Sequence, residues 1–203
     1  VTAVKICGIT QLDDAAAAAE AGASFVGFVL WAGSPRCVPL DRVQQIVAAL
    51  PKSVMPVGVF VDPTAAEIDA AARAGIHVAQ IHGDASAWAQ GIQSDVMIVR
   101  AVHLGEGEAE ITPQWPAGKV LLDANDPVKH GGTGRTIDWE RAKLVAQSRQ
   151  VFLAGGLTPF NVADAVRIVR PFAVDVSSGV ESRPGVKDHG LIRSFVAAAK
   201  GVV

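Results

Sequence analysis

Tyrosine is absent from this 203-residue chain, and aromatic residues of all kinds make up only 5% of it. Any proton-transfer role must therefore fall to Cys, Asp, Glu, His or Lys. An excess of either charge sign is also missing, since 18 Lys and Arg against 20 Asp and Glu leave a formal net charge of −2. That balance argues against nucleic acid or an anionic membrane as partner, because neither would meet a basic field. No apolar run approaches the roughly 20 residues that span a bilayer. The first residues lead straight into the strand-like Val4-Lys5-Ile6-Cys7, without the layout of a signal peptide. Only two cysteines are present, Cys7 and Cys37, in a chain that is 50% hydrophobic. Such a core needs no covalent staple, so reduced thiols and a cytoplasmic location are expected. The G-x-G-x-x-G fingerprint expected after an early strand of an open, doubly wound dinucleotide-binding sheet is missing as well.

What is present is a regular alternation. Short runs rich in Val, Ile and Phe fall at Val4–Ile9, Phe25–Leu30, Met55–Val61, Val78–His82, Met97–His103, Lys119–Asp123, Val151–Ala154 and Ala173–Ser177. Between them lie Ala-rich stretches of helical period. Near-continuous apolar strands separated by helix-length segments are the pattern of βαβ units with a parallel sheet buried on both faces. Helix starts are expected at Thr10-Gln-Leu-Asp13 and Thr64-Ala-Ala-Glu67, which have capping-box spacing, and at Thr158-Pro159. Gly22 and Gly75 fall where helix C-caps belong. Eight such units in about 200 residues predict a (β/α)₈ barrel as a single domain over residues 1–203, near the lower size limit of that fold. Leu104–Gly118 holds two glycines and two prolines before its closing Gly118, so the fifth helix is expected to be short or irregular.

Barrel active sites lie at the C-terminal ends of the strands, and the polar residues of this sequence collect there. In the first strand a period of two puts Lys5 and Cys7 on one face and Val4 and Ile6 on the other. Lys and Cys suit the lumen; Val and Ile suit the helix-facing side. Cys7 is then either a small core hydrophobe, the commonest fate of a free Cys, or a catalyst, and position alone does not decide. Asp123 closes the sixth strand, His82 the fourth, and Asp175 lies between two valines of the eighth. A carboxylate is seldom buried unless paired, so Asp175 is expected to face polar company or ligand. The glycine-bearing ends Ala154-Gly155-Gly156-Leu157 and Ser177-Ser178-Gly179-Val180 follow strands seven and eight. Those loops form the usual phosphate site of the fold. Gly131-Gly132-Thr133-Gly134-Arg135 reads as a loop that closes over substrate or as a plain connection. Arg36, after the second strand, has a fork suited to carboxylate or phosphate, although an isolated loop arginine is more often simply solvated.

Taken together, Val4-Lys5-Ile6-Cys7-Gly8-Ile9-Thr10, Ser34-Pro35-Arg36, Gln80-Ile81-His82-Gly83, Leu121-Leu122-Asp123, Leu153-Ala154-Gly155-Gly156-Leu157, Pro171-Phe172-Ala173-Val174-Asp175-Val176-Ser177-Ser178-Gly179-Val180-Glu181 and Pro184-Gly185-Val186-Lys187-Asp188 resemble the motifs of the phosphoribosylanthranilate isomerase family. The blocks run nearly end to end and in order. The resemblance implies a tryptophan-biosynthesis enzyme that performs an Amadori rearrangement on one small-molecule substrate, with no cofactor and no metal, as a monomer or homodimer. It implies that Asp123 is the general acid that opens the furanose ring and Cys7 the base that takes the C2′ proton. It also implies that Arg36 meets the anthranilate carboxylate, that His82 and Asp175 orient the substrate, and that Gly155, Gly156, Ser178 and Gly179 grip the phosphate. A free thiol is only a few per cent thiolate at pH 7, so Lys5 is expected to lower the Cys7 pKa. One departure is Cys37, where the family commonly has an aromatic residue.

Two other readings compete. Another phosphate-binding barrel enzyme shares the late glycine loops, and a non-catalytic sugar-phosphate sensor needs no Cys7–Asp123 pair. A zinc hydrolase built on His82, His103 and His130 lacks a His-x-His pair on the first strand.

Overall fold

The computed structural model describes residues 1–83, 91–104, 118–124 and 137–202. Eight strands form a closed barrel: β1 (Ala3–Cys7), β2 (Phe25–Val29), β3 (Met55–Val61), β4 (Val78–His82), β5 (Met97–Leu104), β6 (Lys119–Ala124), β7 (Val151–Leu153) and β8 (Ala173–Val176). Each is parallel to the next, and β8 closes onto β1 with Lys5 opposite Asp175. Around it lie α1 (Leu12–Glu20), α2 (Leu40–Ala49), α3 (Ala65–Arg73), α4 (Trp139–Ala146), α5 (Val162–Val169) and α6 (His189–Lys200). The fifth-helix expectation and the Gly131–Arg135 segment fall outside the described residues.

Strand alternation explains why the barrel has two apolar cores. Val4, Ile6, Val26, Phe28, Val174 and Val176 face outward and join the apolar faces of the helices. Helix α5 shows how that face is written, with buried Val162, Ala165, Val166 and Val169 at helical spacing. The opposite strand faces fill the lumen, with Phe25, Val57, Val78, Val99, Leu121 and Phe152 forming a separate cluster. There Phe25 meets Phe152 edge-on at 5.2 Å between ring centroids, a favoured aromatic geometry. The floor of the barrel is therefore a plug rather than a channel, and Lys5, Cys7, Asp123 and Asp175 lie in the layers above it.

One glycine makes room for the first of those layers. Gly27 lies opposite Cys7 in the β1–β2 register. A Cβ there would fall 2.8 Å from Cys7 Sγ and 3.2 Å from Lys5 Cε. A side chain at position 27 would force Cys7 Sγ to shift and would crowd the Lys5 stem.

The capping signals divide. Thr64 and Glu67 form the expected capping box at α3, with side chain and backbone satisfying each other in both directions. Thr64→Ala is expected to cost about 1 kcal/mol of stability, measurable by urea unfolding, with activity unchanged because α3 lies on the outer ring. The box expected from Thr10 and Asp13 does not form. Gln11 is the N-cap of α1 without a side-chain bond, and the Thr10 hydroxyl instead donates to the Gly185 carbonyl. Pro159 does not open a helix either, since α5 begins at Val162 after a turn in which Thr158 N–H donates to Asn161 Oδ1 at 2.8 Å. At Thr10 a distant partner takes the hydroxyl, whereas the Thr158 hydroxyl still accepts locally, from Phe160 N–H at 3.3 Å, in the turn before α5. Gly22 and Gly75 do follow the C-caps, in the left-handed region at φ 93° and 97°.

A two-stranded hairpin, β9 (Glu181–Arg183) and β10 (Val186–Lys187), has no counterpart in the sequence reading. It follows a three-residue 3₁₀ turn, Ser178–Val180, and returns the chain to α6. The Thr10–Gly185 bond fastens it to the loop after β1.

Candidate active site

The C-terminal ends of the strands enclose a cleft that opens to solvent at its mouth, about 850 Å³ with the open mouth included. Cys7 and Asp123, the last and next-to-last residues of β1 and β6, both line it. Both are largely buried. Arg36, His82 and Asp175 border the same cleft. So do Gly155 and Gly156 after β7 and Ser178 and Gly179 after β8. Residues scattered over the whole sequence thus converge on one space because parallel strands all deliver their C-terminal ends to the same face.

The late loops are shaped by their glycines. Gly155 and Gly156 both adopt positive φ, 82° and 64°, where other residues are strained. Asn161 braces the turn by donating from Nδ2 to the Gly156 carbonyl at 3.0 Å. Gly179 lies so close to this loop that an added Cβ would come within 2.1 Å of the Leu157 carbonyl oxygen. The two loops therefore form one continuous, backbone-rich wall.

Below the mouth, Lys5 is fully buried and donates to both carboxylate oxygens of Asp175, at 2.9 and 3.0 Å. Burial lowers the Lys5 pKa, but the Asp175 carboxylate beside it outweighs that and holds the amine above its ordinary value. The polar company expected for Asp175 is thus Lys5. For Cys7 the expected effect of Lys5 is present but is not the largest. Lys5 does pull the thiol pKa down, but burial is the larger effect and the Asp175 charge adds to it, so the thiol lies above its ordinary range. Burial thus favours the neutral thiol at Cys7.

Across the lumen, Gln80 Nε2 lies 3.0 Å from His82 Nε2, which ties the His82 ring to the residue two positions before it on the same strand face. Arg36 is engaged rather than free. Its Nε and Nη2 donate to Glu181 Oε1 and Oε2 at 2.8 and 2.7 Å. Burial alone would raise the Glu181 pKa; Arg36 and Lys187 outweigh it and hold the carboxyl below its usual range.

Sequence reasoning passed over Glu181, Lys187, Gln80 and Trp31 as site residues. Trp31 and Gln80 line the cleft. Gln80 carried a signal, since alternation puts it on the same strand face as His82. Glu181 and Lys187 lie on a hairpin that no strand-period pattern announced. Cys7 and Cys37 are both free thiols, buried and exposed respectively. Among the described residues no cluster of His, Cys, Asp and Glu is suited to a metal; the His103 side chain and His130 lie outside them. No helix among the described residues is long and apolar enough to cross a membrane.

Comparison with known proteins places this geometry. The model of the N-(5′-phosphoribosyl)anthranilate isomerase family matches residues 4–198. The chain belongs to this family. The isomerase of Geobacter sp. (strain M21) is 46% identical, the match covering 98% of each chain. The crystal structure of the Thermotoga maritima isomerase superposes with a TM-score of 0.91 at 39% identity, covering 99% of this chain and 100% of that one. Another isomerase structure, a complex with reduced 1-(o-carboxyphenylamino)-1-deoxyribulose 5-phosphate, gives a TM-score of 0.87 at 36% identity over 99% of this chain and all of that one. The fold is accordingly the (β/α)₈ barrel of these isomerases, and the family's activity is an isomerisation in tryptophan biosynthesis.

Proposed function

We propose that this cleft converts N-(5′-phosphoribosyl)anthranilate to 1-(2-carboxyphenylamino)-1-deoxyribulose 5-phosphate with Asp123 as general acid and Cys7 as general base. The observation that carries this reading is the meeting of both groups in one cleft, on strands that are not neighbours in the barrel. The substrate has a phosphate at one end and an aryl carboxylate at the other. The glycine wall of Gly155, Gly156, Ser178 and Gly179 suits the phosphate, because backbone N–H groups can approach closely there. The Nη1–Nη2 edge of Arg36, which Glu181 leaves uncommitted, suits the carboxylate. Val29, Trp31, Val59 and Val61 supply an apolar side for the aryl ring.

Asp123 gives its proton to the ring oxygen as the C1′–O bond breaks, leaving a Schiff base at C1′. The positive nitrogen acidifies the C2′ proton, which Cys7 Sγ removes to give an enolamine. Reprotonation at C1′ and loss of the O2′ proton complete the aldose-to-ketose shift, with no net gain or loss of atoms. His82 and Asp175 hold the sugar hydroxyls. A neutral resting thiol fits this sequence, because the Schiff-base cation that forms beside it stabilises thiolate only when it is needed.

The test is turnover. Purified protein supplied with freshly generated phosphoribosylanthranilate is expected to abolish the substrate's fluorescence catalytically, and dialysis against a chelator is expected to leave the rate unchanged. Tight binding of the sugar phosphate without turnover would instead establish the sensor reading. The protein is expected to act in the cytoplasm.

A further inference from the structure

Three charged side chains meet where the loops after β1 and β2 touch the β9–β10 hairpin, and the chemistry above uses only Arg36. Glu181 accepts from Arg36 through both oxygens, from Lys187 Nζ at 2.8 Å and from Gly185 N–H at 3.2 Å. The Lys187 side chain is fully buried and that of Glu181 nearly so. Lys187 also donates to the Ser177 carbonyl at 3.2 Å, and its backbone N–H donates to Asp14 Oδ2 at 3.0 Å. The cluster rests on the backbone beside Cys7: a Cβ at Gly8 would lie 2.7 Å from Arg36 Cδ and 3.4 Å from Lys187 Nζ.

Charge balance gives the cluster a purpose. Holding an arginine with a side-on carboxylate fixes its plane and presents its remaining edge to the cleft, which prepays the entropy of a flexible side chain. The same carboxylate cancels the arginine's charge, so a neutral Arg36–Glu181 pair would attract an incoming anion weakly. Lys187 offsets that loss, because two cations and one anion leave one net positive charge. We infer that Lys187 is a positioning residue for substrate recognition: by neutralising Glu181 it leaves Arg36 as an uncancelled, pre-aimed cation for the aryl carboxylate. The Lys187 charge also reaches Cys7, where it favours the thiolate.

The inference rests on Arg36 being the carboxylate-binding group, and the experiment separates the two. Two ligands are titrated calorimetrically: reduced 1-(o-carboxyphenylamino)-1-deoxyribulose 5-phosphate, and the same molecule without the carboxyl group. Wild type is expected to prefer the first by about 30-fold, the scale of a charge-assisted bidentate contact. Lys187→Gln, which can still donate a hydrogen bond to Glu181, is expected to reduce that preference to about 3-fold or less while binding the carboxyl-free ligand nearly as wild type does. Lys187→Arg should keep the preference. The double variant Glu181→Gln/Lys187→Gln, with the net charge restored and no lone buried carboxylate, should regain most of it even where the single variant folds poorly. Wild type with no preference overturns the Arg36 reading itself. A wild-type preference that persists in Lys187→Gln, an equal loss for both ligands, or a double variant without preference overturns the role of Lys187 alone.

Discussion

Cys7→Ala is expected to lower kcat by about three orders of magnitude, within the range that positioned acid–base groups contribute, while substrate affinity changes little. The thiol is buried against the close approach of Gly27, so its loss leaves only a small void and the barrel stays folded. The pH profile carries the finer test. The base works as thiolate, and burial raises the thiol pKa in the free protein. A raised pKa moves the rising limb of kcat/KM to higher pH, so the rate should still climb through neutral pH and break above the ordinary thiol value of about 8.5. A profile that is flat from pH 7 upward would remove Cys7 as the base in free enzyme. So would a Cys7→Ala variant with near-normal kcat.

Asp123→Asn is expected to be as damaging, with kcat again down by about three orders of magnitude, but by blocking a different step. The amide keeps the shape and can donate a hydrogen bond, yet it has no proton to give to the ring oxygen. The two variants therefore stall at different species. Cys7→Ala can open the ring and hold the Schiff base, which borohydride would trap as an N-alkylated anthranilate. Asp123→Asn stalls before ring opening, so borohydride should trap nothing beyond background. Trapping that is equal in the two variants would contradict the division of labour, whatever the rates.

The order of these steps bears on the Lys5–Asp175 pair. Lys5 would support thiolate from beneath, but Asp175 opposes it from the same layer and burial dominates both. The pair is better understood as a charged floor for the cleft, held together by two hydrogen bonds. Breaking one partner leaves the other buried and uncompensated, a large cost in stability, so substitutions there report on folding before they report on catalysis.

Much of the site was legible along the chain. A period of two assigned Lys5 and Cys7 to the lumen and Val4 and Ile6 to the outer face, and the side-chain clusters follow that assignment. The Gly155–Gly156 pair marked a turn that does require positive φ at both positions. Local signals of this kind are reliable where neighbours in sequence decide the outcome, as at the Thr64–Glu67 capping box. They mislead where a remote group competes, as when Gly185 claims the Thr10 hydroxyl.

Cys7 and Asp123 show the division most clearly. Periodicity and motif along the chain already set each at the end of a buried strand, repeated the strands eight times, and matched the surrounding residues to one isomerase family. The packing of remote segments is what clamps Arg36 with Glu181, sets Lys187 against the same carboxylate and raises the Cys7 thiol pKa by burial. The physical reason is that periodicity and capping are set by neighbours a few residues away. Charge balance and desolvation depend on what lies within a few ångströms in space, and here that company comes from opposite ends of the chain.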